Sequence, residues 1–222
     1  MNTKEAMIVA AERRFALHGL EGVSLRQIAL DAHQRNESAA HYHFGSREGL
    51  IRAILDYRIS KINARRERWF SDEDPYKGVS KPRLIASALI YPMAEEIFAD
   101  WRKCYWVRFM SQLFAIEKFR SLAEEMEPVS HAFIRAYDML RSLPDIDPVI
   151  LEVRREALRR DVVWGLAQIE ALSFQEDREI CELHVANLVD MIAAAIAVAP
   201  SSETLLKAGA VANRKVRPRR RA

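Results

Sequence analysis

Residues 24 to 44, with the sequence SLRQIALDAHQRNESAAHYHF, predict two short helices joined by a polar turn. The hydroxyl of Ser24 can accept hydrogen bonds from the first free N–H groups of a helix that begins at Leu25. In that helix the apolar residues recur at helical spacing, and Arg26 and Gln27 are left to face solvent. The buried stripe of this first helix is expected to consist of Leu25, Ile28 and Ala29.

The second helix of the pair is predicted to begin at Asn36, which is another good N-cap residue. Ala39, Ala40 and Phe44 give it an inward side. A helix of this length spans roughly 10 Å at about 1.5 Å per residue, which suits the part of a helix that enters a DNA major groove about 12 Å wide. DNA binding is therefore the leading hypothesis, with polar reach supplied by Ser38, His41, Tyr42 and His43.

The surrounding sequence strengthens this hypothesis. The strings FALHGLEGVSLRQIA, YHF and SREGLIRAIL, within residues 3 to 55, resemble the DNA-binding domain of the TetR family of transcriptional regulators. The resemblance implies an all-α chain, with an N-terminal three-helix helix-turn-helix domain joined to an all-helical ligand-binding and dimerisation domain. It also implies a homodimer that releases its double-stranded DNA operator when a small-molecule effector binds. The dimer interface would be formed by the last two helices, here about residues 149–172 and 177–199.

The resemblance further implies which residues contact DNA. Two residues at the start of the first helix would contact phosphate, the span from residue 36 to 41 would read bases, and three residues after that span would hold the DNA backbone. The predicted DNA-binding residues are Ser24, Arg26, Gln34, Arg35, Asn36, Glu37, Ser38, His41, Tyr42, His43 and Arg47.

The turn between the two helices departs from the family pattern. The usual sequence is Ala-Gly-Val-Ser, whereas Ala32 is followed here by His33 and the turn has one residue more, so the register of residues 34 to 36 stays open. Glu37 can either stabilise the second helix through its dipole or accept a hydrogen bond from a cytosine amine. His43 either packs within the head or contacts DNA.

Composition narrows the class of protein. Half of the 222 residues are hydrophobic, only 7 are Gly and 8 are Pro, and no apolar run reaches the roughly 18 residues of a membrane span. The N-terminus lacks the apolar segment of a secretory signal. The two cysteines, Cys104 and Cys181, predict neither a disulfide framework nor a metal cluster. These features predict a helix-rich, cytoplasmic protein with no membrane partner.

Charge is divided along the chain. Residues 1–70 carry 12 Lys and Arg against 8 Asp and Glu, residues 71–210 carry 16 against 23, and residues 211–222 carry 6 against none. A basic head on an acidic body presents one end of the molecule to a polyanion. The charge density after residue 213 favours a disordered arm, which either adds non-specific DNA affinity or keeps the chain soluble.

Helix signals predict a head of residues 1–46, a body of residues 47–200 and a disordered basic tail of residues 201–222. In the head, a helix over residues 3–18 is expected to stop at Gly19. Ser46 is expected to cap a long linking helix that runs to about residue 70, before a domain junction at residues 71–79. The body is predicted to be helical over residues 82–98 with a kink or break at Pro92, 101–118, 119–143 with an interruption at Pro128, 149–172 and 177–199.

Aromatic residues are dense in the predicted body. The spacing of four between Trp101, Tyr105 and Phe109 places them on one helical face. These residues are either ordinary core or the lining of an apolar pocket between helices, and we expect a largely apolar or aromatic effector. The candidate ligand-binding residues are Trp101, Tyr105, Trp106, Phe109, Phe133, Tyr137 and Trp164, with Arg102, Arg108, Gln112, His131 and His184 as polar candidates.

The sequence offers little support for catalysis. It has no Gly-rich phosphate loop and no G-x-S-x-G elbow. His41 and His43 point in different directions on a helix and lack partners at zinc spacing, so no metal or other cofactor is predicted. Cys104 is either a redox sensor or a buried thiol. The sequence thus predicts a ligand-responsive regulator rather than an enzyme, with a repressor preferred. An activator, a helical protein-interaction module and an enzyme within an all-α body are the alternatives.

Overall fold

The structure, a computed structural model, describes residues 2–34, 39–71, 78–126, 138–143 and 146–216. All regular secondary structure in these residues is helical, as predicted. The helices are α1 (Thr3–His18), α2 (Leu25–Asp31), α3 (Ala39–Phe44), α4 (Arg47–Ser71), α5 (Lys81–Ala99), α6 (Trp106–Ala115), α7 (Glu117–Met126), α8 (Pro148–Leu172), α9 (Arg178–Ala197) and α10 (Ser202–Val216). Residues 138–141 are also helical.

The predicted end of α1 and the predicted cap of α4 are confirmed, while the predicted cap Asn36 lies outside the described residues. Helix α1 ends at Gly19, whose φ of 78° is in the region that glycine tolerates best. Helix α4 begins after Ser46, whose hydroxyl accepts the N–H of Gly49 at 3.1 Å. Helix α4 then extends to Ser71, and helices α8 and α9 agree with the predicted spans to within two residues at each end.

The predicted helix over residues 101–118 is confirmed only for residues 106–115. Residues 100–103 form a turn in which Arg102 has a φ of 58°, and α6 begins only at Trp106. The start of α6 is fixed by Glu170 of α8, whose carboxylate accepts the N–H groups of Val107 at 2.8 Å and Arg108 at 3.3 Å. A cap from a distant helix leaves no local pattern in the sequence.

One further expectation for the body is revised, and another is tested only in part. Helix α5 continues through Pro92 from Lys81 to Ala99, so the expected break is absent. The expected helix over residues 119–143 is described as α7, which ends at Met126, and the short helical segment of residues 138–141. Pro128 lies outside the described residues.

The tail prediction is wrong for residues 202–216, which form α10. Ser201 supplies a local start signal, because its hydroxyl accepts the N–H of Thr204 at 3.2 Å. Ala208 is buried where α10 packs against α8. Residues 217–222 lie outside the described residues.

One hydrophobic core runs from the head into the body. Phe15 of α1 stacks on Phe109 of α6 with ring centroids 6.1 Å apart, and α9 packs against α5 and α8. Among the described residues, α9 has the length and mean hydropathy (1.6) of a membrane-spanning helix, with 33% of that window buried. The core helix of a globular protein passes the same test, and α9 is interrupted by charged residues such as Glu182 and Asp190, so the expectation that no uninterrupted apolar run reaches the length of a membrane span is unchanged.

Candidate nucleic-acid interface

The first helix of the predicted pair is built as the sequence indicates. The Ser24 hydroxyl accepts the N–H of Gln27 at 3.2 Å, and the Gln27 side chain accepts the N–H of Ser24 at 2.9 Å. This reciprocal pair satisfies two otherwise free donors at the start of α2. Ile28 and Ala29 are fully buried and Leu25 is half-buried, while Arg26 is exposed.

The turn after α2 uses an unusual residue. His33 has a φ of 54°, in the left-handed region where glycine is usual. The N–H of His33 donates to the carbonyl of Leu30 at 2.9 Å, and the N–H of Gln34 donates to the carbonyl of Ala29 at 2.9 Å. These two bonds are those of a Schellman motif, so His33 occupies the left-handed position that glycine usually takes in this motif.

Helix α3 presents a polar aromatic surface. Ala40 and Phe44 are buried, as predicted, while His41, Tyr42 and His43 are exposed. Tyr42 is 85% exposed, and its ring meets that of His43 edge to face at 5.3 Å between centroids. The exposed side of α3 can therefore reach a ligand without unpacking the head. Four predicted DNA contacts lie outside the described residues: Arg35, Asn36, Glu37 and Ser38.

Two contacts that position the start of α4 against the head were not predicted from the sequence. A Cβ atom on Gly49 would lie 2.1 Å from the carbonyl oxygen of Phe44, so only glycine lets α4 approach the end of α3 this closely. The Arg47 guanidinium donates to the carbonyl of Val23 at 2.9 Å and so ties the start of α4 to the segment before α2. An isolated glycine in the first turn of a helix was the available signal for the first contact.

The predicted effector residues do not gather in one place. Trp106 and Phe109 are fully buried, with ring centroids 5.9 Å apart, and pack beneath α1. Trp101 stacks on Phe98 at 6.0 Å, outside that group. The remaining described candidates are separate as well, since Tyr105 meets Phe174 and Trp164 is exposed on α8. Phe133, Tyr137 and His131 lie outside the described residues.

The polar candidates have varied surroundings. Arg108 donates through Nε to Glu170 at 3.0 Å, and its guanidinium lies over the rings of Tyr105 and Phe174. Burial raises the pKa of Glu170 to about 7, against the lowering effect of the Val107 amide and Arg108. Arg102 donates to the carbonyl of Ser173. Gln112 is half-buried and His184 is exposed.

Cys104 is buried, and burial raises the pKa of its thiol. The buried-thiol interpretation is therefore confirmed, because a reactive cysteine needs an accessible thiolate.

A surface cleft of about 690 Å³ lies on the head, between α1 and the end of α2. Its lining includes the exposed side chains of Leu17 and Leu30 and the ion pair between Arg14 and Asp31.

A helix-turn-helix head whose core continues into a helical body defines the class of protein, an all-α helix-turn-helix protein. Residues 7–54 match the family model described as bacterial regulatory proteins, tetR family. Over these residues the chain is similar to the DNA-binding domain of TetR-family transcriptional regulators.

Several solved structures are similar to the chain at low sequence identity. The TetR-family regulator PfmR from Thermus thermophilus is 15% identical, with a TM-score of 0.49 over 84% of this chain and 96% of that one. A putative transcriptional regulator from a Rhodococcus species is 18% identical, with a TM-score of 0.47 over 86% and 95%. RolR in complex with resorcinol is 13% identical, with a TM-score of 0.46 over 90% and 95%. No curated protein matches the chain.

Proposed function

We propose that the chain is a homodimeric, ligand-responsive transcriptional repressor that reads an operator through α2, the turn and α3. The observation that carries this proposal is the exposed side of α3, where His41, Tyr42 and His43 project from a helix anchored by buried Phe44. A rigid support behind exposed polar and aromatic side chains is what base and backbone contacts in a major groove require.

The other DNA contacts follow from the same docking. Arg26, exposed on α2, contacts phosphate, and the span from residue 36 to 41 reads base edges. Arg47 holds Val23, so its contact with the DNA backbone is made together with the segment before α2. Ser24 acts through the cap that orients α2, since its hydroxyl already bonds Gln27.

The dimer forms through α8 and α9. These helices expose large apolar side chains in the single chain: Val153, Trp164, Ile180, Leu183 and Met191. A paired set of such helices buries this surface in a four-helix bundle across a two-fold axis. Two heads then enter major grooves about one helical turn apart, roughly 34 to 36 Å.

The effector is a small, largely apolar or aromatic molecule that binds in the body. It changes the separation of the two heads through α4, and coupling of this kind typically changes operator affinity about 5- to 150-fold. The protein acts in the cytoplasm and has no catalytic activity. An activator would share every one of these features, and the direction of regulation in a reporter strain distinguishes it.

The experiment is fluorescence anisotropy at about 0.15 M salt with the chain's own upstream DNA and a scrambled duplex. Specific sites typically bind about 10³- to 10⁷-fold more tightly than random DNA. We expect a preference that survives removal of residues 211–222 and is lost in Tyr42→Ala. Leu17→Ala, an exposed apolar change elsewhere on the head, is the matched control and should keep the preference.

The contrary result is equal, weak binding to both duplexes that disappears with the tail. If selection from a random duplex library then also yields no preferred sequence, the head does not read DNA. The helical protein-interaction module would replace the regulator as the best account of the chain.

A further inference from the structure

A buried ion cluster joins three helices where the head meets the body. The Arg58 guanidinium of α4 donates to both carboxylate oxygens of Glu12 on α1, at 2.6 and 2.8 Å. It also donates to Glu96 of α5 at 2.9 Å. Arg58 is 2% exposed and the two glutamates are equally buried. We call Glu12, Arg58 and Glu96 the Arg58 cluster.

Two polar residues outside the Arg58 cluster contact it on the body side. Asp100, half exposed at the end of α5, lies 3.2 Å from Arg58, and Arg65 of α4 pairs with Glu96 at 2.7 Å. The backbone N–H of Tyr105 bonds the Glu12 carboxylate and lowers its pKa, although burial raises that pKa overall. One guanidinium therefore links the head, the linking helix and the segment that leads into α6.

Stability alone does not explain such a cluster. Burying charges costs hydration, and well-packed apolar residues in place of a buried ion triad often give equal or greater stability. The ion pairs fix the relative orientation of the groups they join, because a guanidinium binds a carboxylate through two parallel hydrogen bonds in one plane. Apolar contacts are non-directional, and the head-to-body contact of Phe15 with Phe109 is of that kind.

We propose that the Arg58 cluster sets the angle of the DNA-reading head on the body, with Arg58 as the positioning residue. The orientation itself does not depend on what the head binds. Its consequence for DNA rests on the proposed function: a fixed head angle makes the dimer selective for one half-site spacing. A shift of α4 against α5 acts on Arg58 directly, because the same side chain holds α1 and α5.

The test variant combines Glu12→Gln, Arg58→Met and Glu96→Gln. This change removes all three buried charges, while the glutamine carbonyls still accept from the Tyr105 amide and from Arg65. The matched control is Arg52→Met with Glu125→Gln, which removes an exposed ion pair between the same α4 and α7. Circular dichroism and thermal melting verify that both variants are folded.

The first readout is a head-to-body distance measured between nitroxide labels on Glu21→Cys and Gln175→Cys. Both positions are exposed, and the native cysteines are buried and escape labelling. Labelled chain is mixed with excess unlabelled chain so that each dimer carries one labelled copy. We expect one narrow distance in the wild type and the control, and a distribution at least twice as broad or displaced by several ångströms in the test variant. A folded test variant with the wild-type distribution would overturn the proposal.

If the triple variant does not fold, Arg58→Lys serves instead, because it keeps the charge but loses the fork. The same broadening is expected, and an unchanged distribution counts against the proposal equally. The second readout uses a duplex selected from a random library. One inserted base pair between half-sites should weaken the wild type tenfold or more and the test variant less than threefold. If the wild type selects no duplex, the proposed function fails, while the label distances still decide the role of the Arg58 cluster.

Discussion

Charged residues are usually exposed and apolar residues buried, but two surfaces of this molecule have the opposite arrangement. We call the contact between head and body the inner surface, and the exposed side of α8 and α9 the outer surface. The contact between head and body contains the buried ions Glu12, Arg58 and Glu96. The outer side of α8 and α9 carries apolar side chains such as Leu183, which is 69% exposed, and Met191, which is 61% exposed. Directional contacts are thus found where two parts of one chain meet, and non-directional contacts are offered where a second chain is proposed to bind.

The difference teaches how one chain can control the spacing of two heads. An operator with two half-sites fixes both the angle of each head on its body and the distance between bodies. In our proposal the Arg58 cluster controls the first quantity and the apolar face of α8 and α9 controls the second. Each surface can be disturbed without touching the other, so the comparison can be tested by substitution.

The largest expected effect is on the inner surface. Arg58→Met alone should lower the free energy of unfolding by about 3–5 kcal/mol, because it leaves the Glu12 carboxylate buried without its cation and leaves Glu96 with Arg65 alone. Arg52→Met, which breaks an exposed pair on the same helix, should cost about 1 kcal/mol or less. Urea denaturation at one protein concentration measures both. Equal losses in the two variants would contradict the view that burial makes the inner surface special.

A second buried carboxylate tests the same view through pH. Glu170 is fully buried and its folded pKa is about 7, above its ordinary value of 4.5. Its stabilising contribution is therefore complete below about pH 4.5 and is lost as pH rises through about 7. A shift of this size corresponds to roughly 3 kcal/mol.

Glu170→Gln removes this titration. The wild type should lose roughly 3 kcal/mol relative to the variant between about pH 4.5 and pH 8, as measured by urea denaturation of both proteins at each pH. The difference between the two proteins cancels the titration of all other groups. A difference that does not change with pH would mean that folding leaves the pKa of Glu170 at its ordinary value.

Substitutions on the outer surface should change the dissociation constant of the dimer rather than the stability of the folded chain. Leu183→Glu places a charge in the proposed dimer interface, and we expect the dimer to dissociate about 100-fold more readily, or about 2.7 kcal/mol. Sedimentation equilibrium measures this change. Leu17→Glu, on an exposed leucine of the head, is the control and should leave the dimer intact. Dimers of unchanged strength in Leu183→Glu would move the interface away from this face.

The parts of the fold that follow from sequence are those governed by neighbouring residues. Gly19 stops α1, and Ser24 and Ser46 cap α2 and α4, since each cap and its hydrogen-bond partner lie within four residues of each other. The start of α6 depends instead on Glu170, which is 63 residues from Val107. Arg58 likewise sits in a charged helix, where nothing local distinguishes a buried arginine from an exposed one.

In the candidate site, too, the residues that could be predicted are those whose placement depends on neighbouring residues. Helical spacing predicted that Ala40 and Phe44 face inward on α3, because that pattern is local. Trp101, Tyr105 and Phe109 were predicted to share one helical face, but α6 begins only at Trp106, so the first two lie outside that helix. A pocket between helices depends on packing over long separations, which the spacing of residues within one segment does not determine.

The smallest expected effect is on stability, at two residues whose backbone has a positive φ. One lies in the head and the other in the body. His33 in the head has a φ of 54° and Arg102 in the body a φ of 58°. This conformation costs a non-glycine residue roughly 1–2 kcal/mol, while glycine adds an entropic cost of about 0.5–1 kcal/mol. His33→Gly should therefore raise the free energy of unfolding by about 0.5 kcal/mol, and His33→Ala, which keeps the strain, should not.

Arg102→Gly should instead be destabilising, because the Arg102 side chain donates to the carbonyls of Ser173 and Glu176 and those bonds would be lost. Urea denaturation of the three variants decides the matter. A gain in both glycine variants would mean that the Arg102 side chain contributes nothing to its turn, and a gain in neither would mean that the two turns store no strain.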